Sequence, residues 1–337
     1  MNNITYLFGA GASKDALPIV DEIPGRISGL IQEIKGSTKY ELSETEFFDN
    51  LKLENPVSKK DLLAEMIGDL QWLLESSSNH ASVDTLAKKF YIKRQYAKLD
   101  RLKIALSVFF VLEQARRPVD RRYDTFFASI LTSVSKLPEN ISLLSWNYDY
   151  QFELAFSEYS DNKEITRNQD WLNVKKKSVR NDKTEGFGIY KLNGTTGLAD
   201  SRPFGDYVYA NVLKDAFSKE LIEEVTRNYA AATRFNNLYP TLSFAWEGEE
   251  KEDGVIQLAT KAINNTDVLV VIGYSFPFFN REIDKKLIVE MPSLKKVYFQ
   301  SPDPHNLSAT FAALIGERKV ELVERLNYKQ FLLPNEL

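Results

Sequence analysis

The residues able to do chemistry sit in short groups, each just behind an apolar run. Ile141 to Trp146 ends in Asn147 and Asp149, an amide and a carboxylate two residues apart, immediately ahead of a helical pattern. A strand that ends this way aims both side chains past its carboxyl end, where open α/β sheets bind ligands. The same residue types build turns and cap helices, so Asp149 reads equally as an N-cap and Asn147 as a turn residue. Gly188 to Leu192 opens in the same manner into Asn193-Gly194, which also reads as an ordinary turn. Ile4 to Phe8 runs into Gly9-Ala10-Gly11-Ala12-Ser13, Val268 to Ile272 into Gly273-Tyr274-Ser275, and Val297 to Gln300 into Ser301-Pro302-Asp303. A glycine bend between strand and helix offers unpaired N–H groups and the positive end of a helix dipole, and it admits a pyrophosphate close to the backbone.

Several chemistries are excluded at once. The chain has no cysteine, which removes disulfides, thiolate metal sites and a cysteine nucleophile, and fits a reducing compartment. Its two histidines, His80 and His305, lie in polar segments that suit the surface better than a catalytic centre. The glycine turn reads G-x-G-x-S, with Lys14 where a dinucleotide fingerprint has its third glycine. A nicotinamide dehydrogenase also needs an acidic residue closing a second strand about twenty residues on. Here Pro18 to Gly25 enters a helical stretch instead, so hydride transfer is disfavoured, and no G-x-x-x-x-G-K-[ST] supports a P-loop. A net charge of −4 gives no reason to expect nucleic acid as the main partner. The basic run at Lys175-Lys176-Lys177-Ser178-Val179-Arg180 lacks interleaved aromatics and reads as a solvated loop. No apolar run approaches the length that spans a bilayer, and a soluble cytoplasmic protein is expected.

Positioning these groups requires a sheet. The five apolar runs read as strands buried on both faces, and most are separated by helical patterns, which predicts a doubly covered parallel sheet with right-handed crossovers. All five polar strand ends would then open toward one side, a convergence that suggests a nucleotide cleft. About 130 residues separate the first two strands, far too many for one crossover. Apolar residues at helical spacing in Asp61 to Leu74 and Leu102 to Ala115 make that stretch, about 26–135, a helical insertion. A second helical insertion is expected at about 205–236, with flexible turns after Trp171 and over Glu247 to Asp253.

Taken in order, Gly9-Ala10-Gly11-Ala12-Ser13, Ser82-Val83-Asp84-Thr85, Tyr123-Asp124-Thr125-Phe126-Phe127, Trp146-Asn147-Tyr148-Asp149, Lys191-Leu192-Asn193-Gly194 and Ile272-Gly273-Tyr274-Ser275-Phe276 span nearly the whole chain. The set resembles the sirtuin-like NAD-binding proteins, in particular their bacterial branch that hydrolyses NAD in anti-phage defence. The resemblance implies one domain over residues 1–337, with a Rossmann-like parallel sheet, helices on both faces, a large helical insertion and no zinc module. It implies that Gly9, Gly11 and Ser13 meet the pyrophosphate, with Ala10 and Ala12 in the same cofactor-binding turn, Asn147 and Asp149 the nicotinamide ribose, and Gly273 with Ser275 the adenosine side. Asp303 would lie near the second ribose, and Asp84 and Gly194 would join the ligand-binding set. Asn193 departs from the family, whose active members usually carry a histidine before this glycine as base on a ribose hydroxyl.

The implied activity is cleavage of NAD+ to nicotinamide and ADP-ribose, without a metal, and depletion of cellular NAD. Nicotinamide leaves NAD+ as a neutral molecule from a cationic nitrogen, so the step needs orientation, stabilisation of an oxocarbenium-like sugar and a placed water, but no general acid. Asparagine holds a hydroxyl or a water and cannot take a proton at neutral pH. A general-base contribution of about two to four orders of magnitude is therefore lost at Asn193 unless Asp149 supplies it. The alternative is a catalytically weakened subunit that senses NAD or ADP-ribose or acts as scaffold. A toxic hydrolase needs gating, so a homo-oligomer or a defence partner that senses infection is expected. Protein deacylation ranks last, since no residues can build the zinc module.

Overall fold

The computed structural model describes residues 2–48, 56–176, 184–200, 216–235, 238–247 and 254–337. The expected strands form as β1 (Ile4–Phe8), β2 (Ile141–Ser145), β4 (Gly188–Lys191), β7 (Val268–Ile272) and β8 (Lys296–Gln300). With β3 (Val174–Lys175) and β9 (Glu321–Arg325) they make a seven-stranded sheet in the order β3-β4-β2-β1-β7-β8-β9. Every pairing is parallel, with Ile4 opposite both Ile141 and Val268. Each parallel step needs a crossover, and the crossovers put helices on both faces.

The period of two along β1 divides the core. Ile4, Tyr6 and Phe8 pack with Tyr123, Phe126 and Phe127 of α5 (Arg121–Ile130) and Phe152 and Phe156 of α6 (Gln151–Ser160). Leu7 points the other way, into a cluster with α9 (Val255–Ile263), α10 (Arg281–Val289) and α11 (Pro304–Ile315). The fold is thus α/β and Rossmann-like. Among the described residues no group of His, Asp or Glu is arranged to hold a metal ion, and no helix is long and apolar enough to cross a membrane.

The remaining helices build a lobe around α4 (Tyr96–Arg116), in which every residue from Leu102 to Gln114 is buried. A helix apolar nearly all round has to be wrapped. α1 (Ile23–Lys35), α2 (Lys59–Ser78), α3 (Val83–Ile92) and α8 (Lys219–Phe235) do so, together with Leu198 and Leu242 of the antiparallel pair β5 (Gly194–Asp200) and β6 (Leu238–Leu242). The two charges that α4 buries deepest are paired: Glu113 with Arg26 at 2.8 Å and Arg116 at 2.7 Å, and Lys103 with Glu247 at 2.7 Å. α5, inside the predicted insertion, packs on the sheet as an ordinary crossover helix would, and α7 (Ile165–Trp171) packs against α6. Residues 177–180 of the basic run, 205–215 and 236 of the second insertion, and 248–253 of the acidic turn lie outside the described residues.

Candidate functional site

The chain leaves β1 toward β2 on one side and returns to β7 on the other, so the strand order reverses between β1 and β7. At such a switch point the two loops diverge and leave a crevice beyond the strand ends. Here the loops are Gly9–Ser13 and Gly273–Ser275, and they touch. The Gly9 amide donates to Ile272 O at 3.0 Å and the Gly11 amide to Gly273 O at 2.9 Å. A Cβ on Gly9 would stand 2.6 Å from Tyr274 Cα, and one on Gly273 would stand 2.3 Å from the Ala12 nitrogen. Gly273 also sits at φ +61°, where only glycine is at ease. These glycines are needed for backbone to approach backbone.

The bend differs from expectation in one respect. Ala10–Ser13 is a single 3-10 turn and not the first turn of an α-helix, which begins only at Ile23. Pro18 cannot donate a helical hydrogen bond and biases Leu17 toward extended geometry, which prevents the turn from continuing. A helix dipole is therefore absent at Gly9–Ser13, and the amides of Gly9 and Gly11 are engaged within the protein.

Two cavities open on either side of this contact. The first, about 330 Å³, is lined by Lys14, Arg122, Gln300, Ser301 and Tyr328 among others. The second, about 220 Å³, is lined by Ser13, Asp84, Asn147, Asp149 and Asn193, with Phe110 of α4 and Tyr148 closing it from the helical lobe. Ala10, Val20, Gly273, Tyr274 and Ser275 line both, so the two form one bipartite cleft.

Ser13 is the hub of the second cavity. Its hydroxyl donates to Asp149 Oδ2 at 2.7 Å, lies 2.8 Å from the Tyr123 hydroxyl and accepts from Asn147 Nδ2 at 3.2 Å. Asn147 Nδ2 spends its other hydrogen on Gly9 O at 2.9 Å, which leaves Oδ1 as the part of the amide free to meet a ligand. Asp149 Oδ1 accepts from the Gln151 amide at 3.1 Å at the start of α6, so the carboxylate serves the helix and the cavity together. Burial pushes the Asp149 carboxyl above its ordinary range, against the opposing pull of Lys191, the Ser13 hydroxyl and the Gln151 amide. Burial likewise raises Asp84, in the first turn of α3.

Asn193 is buried at the cavity wall. Its Nδ2 donates to Trp146 O at 3.1 Å, which fixes the orientation of the amide because a carbonyl can only accept. Oδ1 is then buried with no hydrogen-bond partner. Of the remaining expected residues, Gly194 lines neither cavity: at φ +69° its α-carbon packs on Thr241 O, which an added Cβ would meet at 2.1 Å. Asp303 is the N-cap of α11, accepting from the Asn306 amide at 3.3 Å, and lines neither cavity. The two histidines are remote, His80 against Ser76 O and His305 against Glu324.

Sequence reasoning singled out the segment holding Tyr123 but not its hydroxyl, which lies opposite Ser13 across 110 residues. It quoted Trp146 and Tyr274 only as members of such segments and gave them no role, though their rings stack at 6.0 Å in the second cavity wall, and it passed over Asp284 behind them. The Tyr274 hydroxyl donates to Asp284 at 2.8 Å, and burial pushes that carboxyl up to about 7. Residues buried by tertiary packing of distant helices carry no local signal for such contacts.

Fold and site define a doubly wound α/β protein with a two-part cleft at its switch point, dressed with hydrogen-bonding groups and free of metal-ligand clusters among the described residues. No protein-family model matches the chain, and no curated protein matches it.

Proposed function

We propose that this chain binds NAD+ along the bipartite cleft and hydrolyses its nicotinamide–ribose bond, as the resembled anti-phage hydrolases do. The observation that carries the reading is the meeting of two cavities at the switch point, one of them holding Asn147 and Asp149 on a fixed network. The first cavity suits the adenosine part and the second the nicotinamide ribose. Asn147 Oδ1 would hold a ribose hydroxyl or the attacking water, and Asp149 would supply negative charge beside the cationic sugar. With Asn193 unable to accept a proton, Asp149 is the group left to act as base. Host NAD depletion would stop phage growth, and the helical lobe offers the surface on which an oligomer or sensing partner could gate the site.

The test is nicotinamide release from NAD+ by wild type, Asn147→Ala, Asn193→Ala and Asn193→His, alone and with the products of neighbouring genes. Activity abolished by Asn147→Ala supports the hydrolase, and Asn193→His should equal or exceed wild type if a base is what the site lacks. No release under any condition refutes it. Asn193 itself favours a second reading, a sensor or scaffold that keeps the cleft and has lost the chemistry. That reading predicts calorimetric binding of NAD+ or ADP-ribose with no turnover, and function surviving Asn147→Ala.

A further inference from the structure

Beneath the Asn147–Asp149 turn runs a buried string of charges that the reading above does not use. Lys191, the last residue of β4, is fully buried, and its Nζ donates to the Asp149 backbone carbonyl at 2.7 Å. The same ammonium stands 3.4 Å from Glu153 Oε2 and 5.5 Å from the Phe152 ring. Glu153, on α6, is also fully buried, and its Oε1 accepts from Gln169 Nε2 at 3.0 Å, while Gln169 Oε1 accepts from Lys176 Nζ. Glu153 Oε2 takes no hydrogen bond, so Lys191 is its nearest counter-charge. Charges are not buried in this way without a use or a partner, and in a low-dielectric interior each acts strongly on the next.

Asp149 is the group they act on. Facing it are the hydroxyls of Ser13 from the glycine turn and Tyr123 from α5, the Gln151 amide and Glu153 from α6, and Lys191 from β4. The Arg122–Asp120 pair lies beyond Tyr123, and Lys176 beyond Glu153. We infer that Lys191 is a positioning residue: it fixes the Asp149 backbone and places a positive charge behind it, and so sets the direction of hydrogen bonding through Ser13 to Asn147. An ionised carboxylate can only accept, so Ser13 must donate to it and keep its oxygen for Asn147 Nδ2. That polarity reinforces the orientation that Gly9 O already imposes on the Asn147 amide, in which Nδ2 is spent on the protein and Oδ1, an acceptor, is left over. A protonated Asp149 would donate to Ser13 instead, and the serine hydrogen would then compete with Asn147 Nδ2. Lys191 lowers the Asp149 carboxyl and Glu153 raises it, in agreement with the geometry.

The effect on Asp149 stands by itself, while its consequence for catalysis rests on the proposed NAD+ cleavage. The test is a pH titration of the Asp149 carboxyl by carbon-13 NMR in the full chain, with Asp149→Asn to assign the signal. Lys191→Gln, which removes the charge, should move the midpoint up, and Glu153→Gln should move it down. Two buried neighbours acting with opposite sign is not what a general loss of packing produces. Shifts in the same direction, or none, overturn the inference. If Lys191→Gln does not fold, Glu153→Gln decides alone: a downward shift supports the role and any other result overturns it. Nicotinamide release is then followed against pH in the same proteins, and its acidic limb should move with the midpoint. Midpoints that move as expected with no release from any protein would sink the hydrolase and leave the positioning role standing. Release whose midpoint ignores both substitutions would do the reverse.

Discussion

Replacing Gly273 by alanine tests whether the fold depends on the contact between the two turns at the switch point. The new Cβ would stand 2.3 Å from the Ala12 nitrogen, 2.4 Å from the Gly11 carbonyl carbon and 2.7 Å from Gly11 Cα. All three are backbone atoms, so none can step aside by changing rotamer. Placing alanine at φ +61° costs roughly 1–2 kcal/mol by itself. Parting the turns breaks the 2.9 Å bond from the Gly11 amide to Gly273 O, worth about 1 kcal/mol, and the overpacking adds roughly 1–3 kcal/mol. The total is about 3–6 kcal/mol, which for a chain of this length lowers the melting temperature by about 4–8 °C. Gly316→Ala is the control: it also has positive φ, at +62° with ψ −128°, but no atom lies within 4 Å of the added Cβ, so only the backbone cost of about 1–3 kcal/mol remains. Urea denaturation of the two variants and wild type gives the difference directly. If the two alanine variants lose the same stability, to within about 1 kcal/mol, the close approach contributes nothing and the account of the switch point is wrong. At temperatures where Gly273→Ala stays folded, the stabilisation by NAD+ that the proposed function expects of wild type should be reduced, because the displaced turn lines both cavities.

Ser13→Ala removes the one atom shared by Asp149, Asn147 and Tyr123, and leaves three buried polar groups each one partner short. It should cost about 2–4 kcal/mol in urea denaturation, and a value under about 1 kcal/mol would show that the network is not a unit. Asp284 makes stability depend on pH. Its carboxyl is raised from 3.8 to about 7 in the fold, so between those values the folded chain holds a proton that the unfolded chain releases. The stability this provides is present below about pH 4 and is lost as pH rises through 7, by about 4 kcal/mol for a shift of roughly 3 units. Asp284→Asn, which still accepts from Tyr274, should therefore flatten the stability profile between pH 4 and 8 and gain most on wild type at the upper end. Parallel profiles for the two proteins would contradict this.

Much of the scaffold was legible because its signals are local. Ile4 to Phe8 and Val268 to Ile272 are five-residue apolar runs ending in glycine, and a run buried on both faces in an alternating pattern with helices leaves few alternatives to a parallel strand. The polar strand ends followed from the same reasoning, since parallel strands must all finish on one side. The strand after Asn193 was missed: Gly194-Thr195-Thr196-Gly197 has turn composition, yet it enters β5, where Thr195 and Thr196 are fully buried and Thr241 Oγ1 donates to Thr195 O at 2.8 Å. What made it a strand is β6, more than forty residues on, which no window around Asn193 contains. Asp303 shows an ambiguity of another kind. An aspartate after a strand and before a Pro-led helix satisfies the pattern for a ligand contact and for an N-cap equally, and here it caps α11.

Asn193 shows why the cleft is better understood as a place for a ligand than as a packing accident. A buried acceptor without a donor costs about 1–3 kcal/mol, and close-packed interiors rarely keep one. Asn193 could not relieve that cost by turning over, because its Nδ2 would then leave Trp146 O and present oxygen to oxygen. Leucine at 193 would remove this orphan only by taking the Nδ2 donor away from Trp146 O. The arrangement therefore keeps an unpaired acceptor just behind the wall of the second cavity, which Asn193 lines with Asn147 and Asp149. Oδ1 itself is closed off from solvent, so a ligand hydroxyl reaches it only after a small shift of the wall, and donation to it then recovers the cost on binding. Asn193→Ala should then separate stability from affinity, leaving the unfolding free energy nearly unchanged, because relief of the orphaned oxygen offsets the lost bond to Trp146 O, while weakening the proposed NAD+ binding by about tenfold. A histidine at this position would offer the same acceptor and a basic nitrogen as well. Binding and bond cleavage are in this way separable at a single residue.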